Sequence, residues 1–371
     1  MKIAIVHDYI KEYGGAERVL ETLHEIYPDA PIFTSVYLPK YLGPHKKRFK
    51  KMDIRASFLQ NLPFKSKLIS PIRLIAPMLF RRFDFSKFDV VIVSATGAYT
   101  PNAINKNNAV QVCYCHTPPR YLYGFATARE WKNNIVFRIL GEIANHFLRL
   151  TDFKSSETVD YFIANSENVR RRIQKFYKKD AKVIYPPVET NPKSKVLKSK
   201  KIQNTKYYLA GGRLARPKHI DLIIETCSKN DIPLKVFGKA FAGYGKELKN
   251  IAGPTVEFLG EVTDEEKLAL MKNAKAFIFA SEDEDFGITP VEAMSVGTPV
   301  IAYASGGVLE SVIDGKTGLF FNELTVGNIR KAIEKLQKTK INKQDCIKQA
   351  QSFSKARFKR EIKKFVEARI N

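Results

Sequence analysis

Two glutamates, Glu284 and Glu292, enclose the run Asp285-Phe286-Gly287-Ile288-Thr289-Pro290-Val291. Carboxylates accept hydrogen bonds from sugar hydroxyls, and a helix opening between them would offer its unpaired amides to a phosphate. Cations upstream extend that chemistry. Arg213 and Lys218 share a loop with Gly211-Gly212, and a departing anionic group needs fixed positive charge as its bond breaks. Arg213 can grip phosphate oxygens in a planar fork, whereas Lys218 supplies a point charge. Near the start, Gly14-Gly15 follow an apolar run and precede a helical pattern, so the backbone there can approach a phosphate without a Cβ in the way. The spacing is not G-x-G-x-x-G, which argues against a dinucleotide site. His116 leads into Thr117-Pro118-Pro119-Arg120-Tyr121, a loop stiffened by two prolines, where an imidazole could stand beside a reacting centre.

Each of these has a blander reading. Loop Arg and Lys are usually solvated, Gly-Gly can be an ordinary strand-to-helix turn, and most histidines are structural. Glu282-Asp283-Glu284-Asp285 reads equally as a solvated acidic loop, or through Asp283 and Asp285 as a D-x-D metal pair.

The elements that must position these residues alternate between strand and helix, which predicts parallel sheets with helices on both faces. Strands are expected at Lys2–His7, Ile32–Ser35, Val90–Ser94, Ala109–Tyr114, Phe162–Asn165 and Val183–Tyr185. A second set is expected at Tyr207–Ala210, Leu234–Phe237, Val256–Leu259, Ala276–Ala280 and Val300–Tyr303. Ligands of such sheets bind at the carboxyl ends of the strands, where the candidates fall. The polar, Pro- and Lys-rich stretch 188–206 reads as a linker. It divides an N-terminal domain, 1–187, from a C-terminal domain, 207–351, and a tail, 352–371. In the tail, Phe358, Ile362, Phe365 and Val366 recur with helical spacing.

The net charge of the 371 residues is +24. Residues 40–87 concentrate it, with 13 basic and 2 acidic side chains among Leu59, Leu62, Phe64, Leu68, Ile69, Ile72, Leu74, Ile75, Met78, Leu79 and Phe80. Basic and bulky apolar residues interleaved in this way suit an anionic membrane surface, although a merely solvated basic face has the same composition. No nucleic-acid-binding motif accompanies the charge, so nucleic acid is not expected as a partner. Cys113, Cys115, Cys227 and Cys346 lack disulfide or zinc spacing and read as buried thiols in a reducing cytoplasm. No apolar run is long enough to span a bilayer.

The stretch from Glu284-Asp285-Phe286-Gly287 through Glu292-Ala293-Met294 and Gly297-Thr298-Pro299-Val300 to Asp314-Gly315-Lys316-Thr317-Gly318 resembles the E-x7-E region of the retaining family 4 (group 1) glycosyltransferases. Gly14-Gly15-Ala16-Glu17 and Gly211-Gly212-Arg213-Leu214 with Lys218 match further segments of that family. The resemblance implies a GT-B fold: two Rossmann-like domains with parallel sheets facing a central cleft, the last helix crossing back to the first domain, and domain closure completing the site. It also implies roles. Glu284 would face the transferred sugar, Arg213 and Lys218 with Gly14 and Gly15 would hold the diphosphate, and Phe286, Gly287, Ile288, Thr289 and Val262 would line the donor site. Glu292 would accept the ribose hydroxyls. His116-Thr117-Pro118-x-Arg120-Tyr121 resembles the loop of an O-antigen mannosyltransferase branch, in which the His assists catalysis. By that likeness the co-substrate is a nucleotide sugar, with GDP-mannose the best guess, and no other cofactor or metal is expected. The acceptor would be a glycan or a polyprenyl-diphosphate-linked oligosaccharide in cell-surface polysaccharide synthesis, at the cytoplasmic face of the plasma membrane. A sugar-nucleotide epimerase of the same fold, or a non-catalytic nucleotide-sugar or membrane-binding module, remains open.

Overall fold

A computed structural model describes residues 1–66, 68–127, 135–190, 207–241 and 243–370. Its first sheet contains β1 (Ile3–His7), β2 (Ile32–Thr34), β3 (Ile54–Ala56), β4 (Val90–Ala95), β5 (Val110–Cys115), β6 (Tyr161–Ala164) and β7 (Ala181–Val183). The order is β3-β2-β1-β4-β5-β6-β7, with every neighbouring pair parallel. Side chains alternate across each strand. Ala4, Val6, Val91, Val93, Cys113 and Cys115 therefore enter one core, and Ile3, Ile5, Val90, Ile92, Val112 and Tyr114 enter another on the opposite face. Burial on both faces explains why these strands read as continuous apolar runs.

The helix Lys355–Glu367 covers the second of those faces. Its Phe358, Ile362, Phe365 and Val366 are buried there, and the Phe358 ring meets Tyr114 edge-on at 5.7 Å. Arg357 donates to the Tyr185 carbonyl (2.5 Å) and pairs with Glu361 (2.6 Å), which fixes the start of the helix. The chain accordingly forms two compact units. One comprises Met1–Phe125, Glu130–Pro187 and Ala356–Asn371; the other comprises Ala126–Arg129 and Val188–Lys355. Of the expected linker 188–206, residues 191–206 lie outside the described residues.

The second unit repeats the plan with β8 (Tyr208–Gly211), β9 (Leu234–Phe237), β10 (Val256–Gly260), β11 (Phe277–Phe279), β12 (Val300–Tyr303) and β13 (Gly318–Phe321), ordered β10-β9-β8-β11-β12-β13. In both sheets the order reverses between the first strand and the fourth, at β1/β4 and at β8/β11. Such a reversal opens a crevice at the strand carboxyl ends.

Two strands differ from expectation by their absence from it. β3 is a three-residue edge strand carrying the charged Arg55, and β13 begins at a glycine; neither has a β-branched run to announce it. β7 lies two residues before the run expected at Val183–Tyr185. The segment 40–87 is not one surface. Leu59, Ile72, Leu79 and Phe80 are core residues of the first unit, while Leu62, Phe64, Leu74, Ile75 and Met78 are exposed. All four cysteines are free and buried. Among the described residues no helix is long and apolar enough to cross a membrane.

Candidate active site

In the second unit the loops at the reversal are welded together through glycines. Gly212 and Gly238 both have positive φ (121° and 122°), and a Cβ on Gly238 would lie 1.8 Å from the Gly212 carbonyl oxygen. The loops after β8 and β9 can therefore run backbone against backbone, with Leu214 N–H donating to Lys239 O and Phe241 N–H to Leu214 O, each at 3.0 Å. The β8 loop ends in a tight turn, Arg216–Lys218. From there Lys218 Nζ pairs with Glu284 Oε2, the same oxygen that accepts from Ser281 Oγ at 2.6 Å. Glu282 N–H donates to Pro217 O at 2.8 Å, a backbone link that holds the two loops in register. Arg213 is exposed at the carboxyl end of β8.

Gly306-Gly307 brace the Glu284 loop from behind. A Cβ on either would come within 2.3 Å of the carbonyl oxygen of Glu284 or Asp285, and Gly307 N–H donates to Glu284 O at 2.8 Å. The helix Ile288–Ser295 then starts from Gly287 (φ 87°) with no side-chain cap on its first amides. The Phe286 ring packs on Phe353 at 5.3 Å and belongs to the core, which leaves its backbone as the part able to serve a ligand. Glu292 is buried, and its Oε1 accepts from Lys267 Nζ at 2.7 Å. Lys267 also pairs with Asp264 at 3.1 Å. Nothing in the local sequence announces that lysine, because its partner is 25 residues away. Val262, half-buried, lies in the loop after β10.

The reversal in the first unit is built differently. His116 Nε2 lies 3.0 Å from Ser94 Oγ, and that hydroxyl lies 3.1 Å from His7 Nδ1. His7 Nε2 in turn stands 3.8 Å from Glu17 Oε1. Burial, reinforced by the neighbouring His7, pushes the His116 pKa down to about 3, so the imidazole is neutral through the physiological range. Next along the chain from His7 is Asp8, fully buried, whose Oδ2 accepts from the Thr96 N–H (2.7 Å) and from the Thr96 hydroxyl. Among the described residues its Oδ1 has no hydrogen-bond partner, and burial raises the pKa of the carboxyl. Asp8 was not anticipated, although an acid ending the first strand ahead of Gly14-Gly15 was a signal.

Gly14 caps the helix Gly15–Ile26, but its N–H donates to Glu17 Oε2 at 2.8 Å. A carboxylate of the same chain therefore already accepts from the Gly14 amide at that helix start. Thr117 Oγ1 accepts from Arg172 at 3.1 Å, and the half-buried Arg120 shares the loop. Among the described residues no group of three or more His, Cys, Asp or Glu is arranged to hold a metal.

Two family models match, "Glycosyltransferase Family 4" over residues 13–192 and "Glycosyl transferases group 1" over 193–353. The alpha-1,3/1,6-mannosyltransferase ALG2 of Dictyostelium discoideum is 27% identical over 400 aligned residues, covering 92% of this chain and 91% of that protein. HepE of Anabaena, solved with UDP-glucose, superposes with a TM-score of 0.72 at 19% identity, over 99% of this chain and 100% of its own. Sucrose-phosphate synthase of Thermosynechococcus elongatus gives 0.76 at 16% identity, over 99% of each chain. These structures share the GT-B architecture of two Rossmann-like parallel-sheet domains. The relation shown is to ALG2-type mannosyltransferases and not specifically to the O-antigen branch expected from the His116 loop.

Proposed function

Given that the chain is a glycosyltransferase of GT-B fold, related to the ALG2-type mannosyltransferases, we propose that it moves mannose from GDP-mannose to a lipid-linked glycan with retention at the anomeric carbon. One observation carries the assignment of the donor site: the Lys218–Glu284 pair at the reversal of the second sheet, beside the uncapped helix start at Gly287.

A sugar hydroxyl arriving at Glu284 finds a carboxylate already oriented by Lys218 and Ser281, so little reorganisation is needed. The diphosphate takes its positive partners from Lys218, from Arg213 and from the amides of residues 286–289. As the glycosidic bond breaks, charge grows on the departing diphosphate, where those fixed dipoles and cations stabilise it most. The same diphosphate oxygen then accepts the proton of the attacking acceptor hydroxyl, on the face from which it left. Glu292, held by Lys267, is assigned to the ribose hydroxyls. In the first domain, the neutral imidazole of His116 suits an uncharged acceptor sugar. A mannosyltransferase related to ALG2 and carrying a basic apolar segment at 40–87 fits an acceptor borne on polyprenyl diphosphate at an anionic membrane surface.

The test is a donor screen with GDP-mannose, UDP-glucose, UDP-galactose, UDP-N-acetylglucosamine and dTDP-rhamnose, with and without chelator, following thermal shift and donor turnover. GDP-mannose should stabilise the protein regardless of chelator, and Lys218→Ala and Glu292→Ala should abolish the shift. Preference for another donor overturns the mannose assignment. Turnover of a donor without acceptor to an epimer overturns transfer, and an inverted product overturns the mechanism.

A further inference from the structure

The helix Ile135–Glu157 is amphipathic in the wrong sense. Among its described side chains the buried positions are Asn145, Leu148, Asp152, Ser155 and Ser156, whereas Ile139, Leu140, Ile143, Phe147 and Leu150 face solvent. Ile139, Ile143 and Phe147 are 55%, 53% and 63% exposed, and with Leu150 they recur every third or fourth residue as one stripe. A helix on the surface of a water-soluble domain places such a stripe inward.

The inversion is built in, because the inward polar groups are paired. The hydroxyls of Tyr123 and Tyr177 each donate to Asp152 Oδ2 at 2.9 Å. Ser155 Oγ donates to Asp152 O (2.8 Å) and Ser156 Oγ to Phe153 O (2.6 Å). A second element continues the stripe. Leu74 and Met78, 56% and 63% exposed, flank a groove of about 350 Å³ that they share with Arg81, Phe147, Leu148 and Thr151. Charged side chains accompany the face: Arg138 and Lys154, with Glu142 and Glu157, on the helix, and Arg81 in the groove, all exposed.

We propose that this composite face, the stripe Ile139–Leu150 with Leu74 and Met78, is where the protein lies on an anionic bilayer. The charge selects the occupant. A second copy docking symmetrically would set one chain of net charge +24 against another, apolar face to apolar face, with Arg81 of each groove near its counterpart. Anionic headgroups neutralise that excess while the stripe enters the acyl boundary, as interfacial helices do. The inference deepens the reading of a membrane-borne acceptor and rests on it for its purpose, though not for its observations.

Flotation of the full chain with phosphatidylglycerol-containing vesicles, and with phosphatidylcholine alone, tests it. The wild type should float with the anionic vesicles. Ile143→Glu with Phe147→Glu should weaken binding on the order of tenfold or more, and Leu309→Glu, an exposed apolar site in the other unit, should not. Light scattering should report the same monomer for all three, and transfer to a soluble acceptor should persist in the double variant. Binding unaffected by the double substitution, no binding by the wild type, or a dimer that the substitution dissociates would each overturn the docking face. Absence of vesicle binding by the wild type with its donor turnover intact removes this face and spares the enzymatic reading; wild-type vesicle binding without turnover of any donor does the reverse.

Discussion

Where the strand order reverses, the first sheet gathers His7, Asp8, Ser94, Thr96 and His116, nearly all of them buried, while the second gathers Lys218, Glu284 and the exposed Arg213. The strand order of the second sheet repeats that of the first six strands of the first. The scaffold provides a crevice in either case, and the loops decide its chemistry. In the first unit, burial holds the imidazole of His116 neutral and raises the carboxyl of Asp8, which favours hydrogen bonds with uncharged hydroxyls. In the second, opposite charges stay in contact at a partly open surface, which favours exchange with an incoming diphosphate.

The contrast breaks first at Lys218. Lys218→Ala should lower kcat by roughly 10²–10³-fold, the usual loss for one group stabilising a departing anion, as read from initial rates at saturating donor. A loss under tenfold would mean that the charges of the second unit do not serve the chemistry. Next in size is Gly238→Ala. A methyl 1.8 Å from the Gly212 oxygen must push the β8 and β9 loops apart, so a cost of about 2–4 kcal/mol is expected in denaturant melts. His116→Ala should cost about 10–100-fold in kcat/KM, and the wild-type pH profile should lack a limb near 6.5 from this residue. The sign follows from a folded pKa of about 3, below the unfolded value. The neutral, buried form contributes stability above pH ~6.5, and that contribution is lost as pH falls toward 3. Acid melts of His116→Ala should therefore be flatter than those of the wild type. The smallest effect concerns Asp152, which burial lifts to about 7. A raised carboxyl stabilises the fold below its unfolded value and loses that contribution as pH rises through about 7. Asp152→Asn should thus gain about 1–2 kcal/mol on the wild type between pH 5 and pH 8.

What could be read from sequence was what is contiguous. Glu284, Gly287 and Glu292 lie in one loop and one helix, so spacing alone locates them on a strand–loop–helix unit, and the parallel alternation gives the sheets. The groups around His116 come from three strand ends: His7 and Ser94 are 87 residues apart, and Ser94 and His116 are 22 apart. Only the sheet order makes them neighbours. Lys267 and the Gly306-Gly307 brace were missed for the same reason, since a long-range partner leaves no trace in a local window. The helix Ile135–Glu157 escaped differently. Its stripe has an ordinary period, and which side of that period faces water is a tertiary fact that periodicity does not encode.

The packing of Phe358, Ile362, Phe365 and Val366 against strands near the beginning of the chain sets a schedule for synthesis. A nascent chain emerges in order, and domains tend to fold as they appear. Here the earliest strands must wait with one face uncovered until residues 355–367 have left the ribosome. The β8–β13 sheet, whose strands end at Phe321, has its own core available sooner. A released chain ending at residue 354 should therefore hold a protease-resistant second domain and a protease-sensitive first one, the reverse of the order in which they were translated.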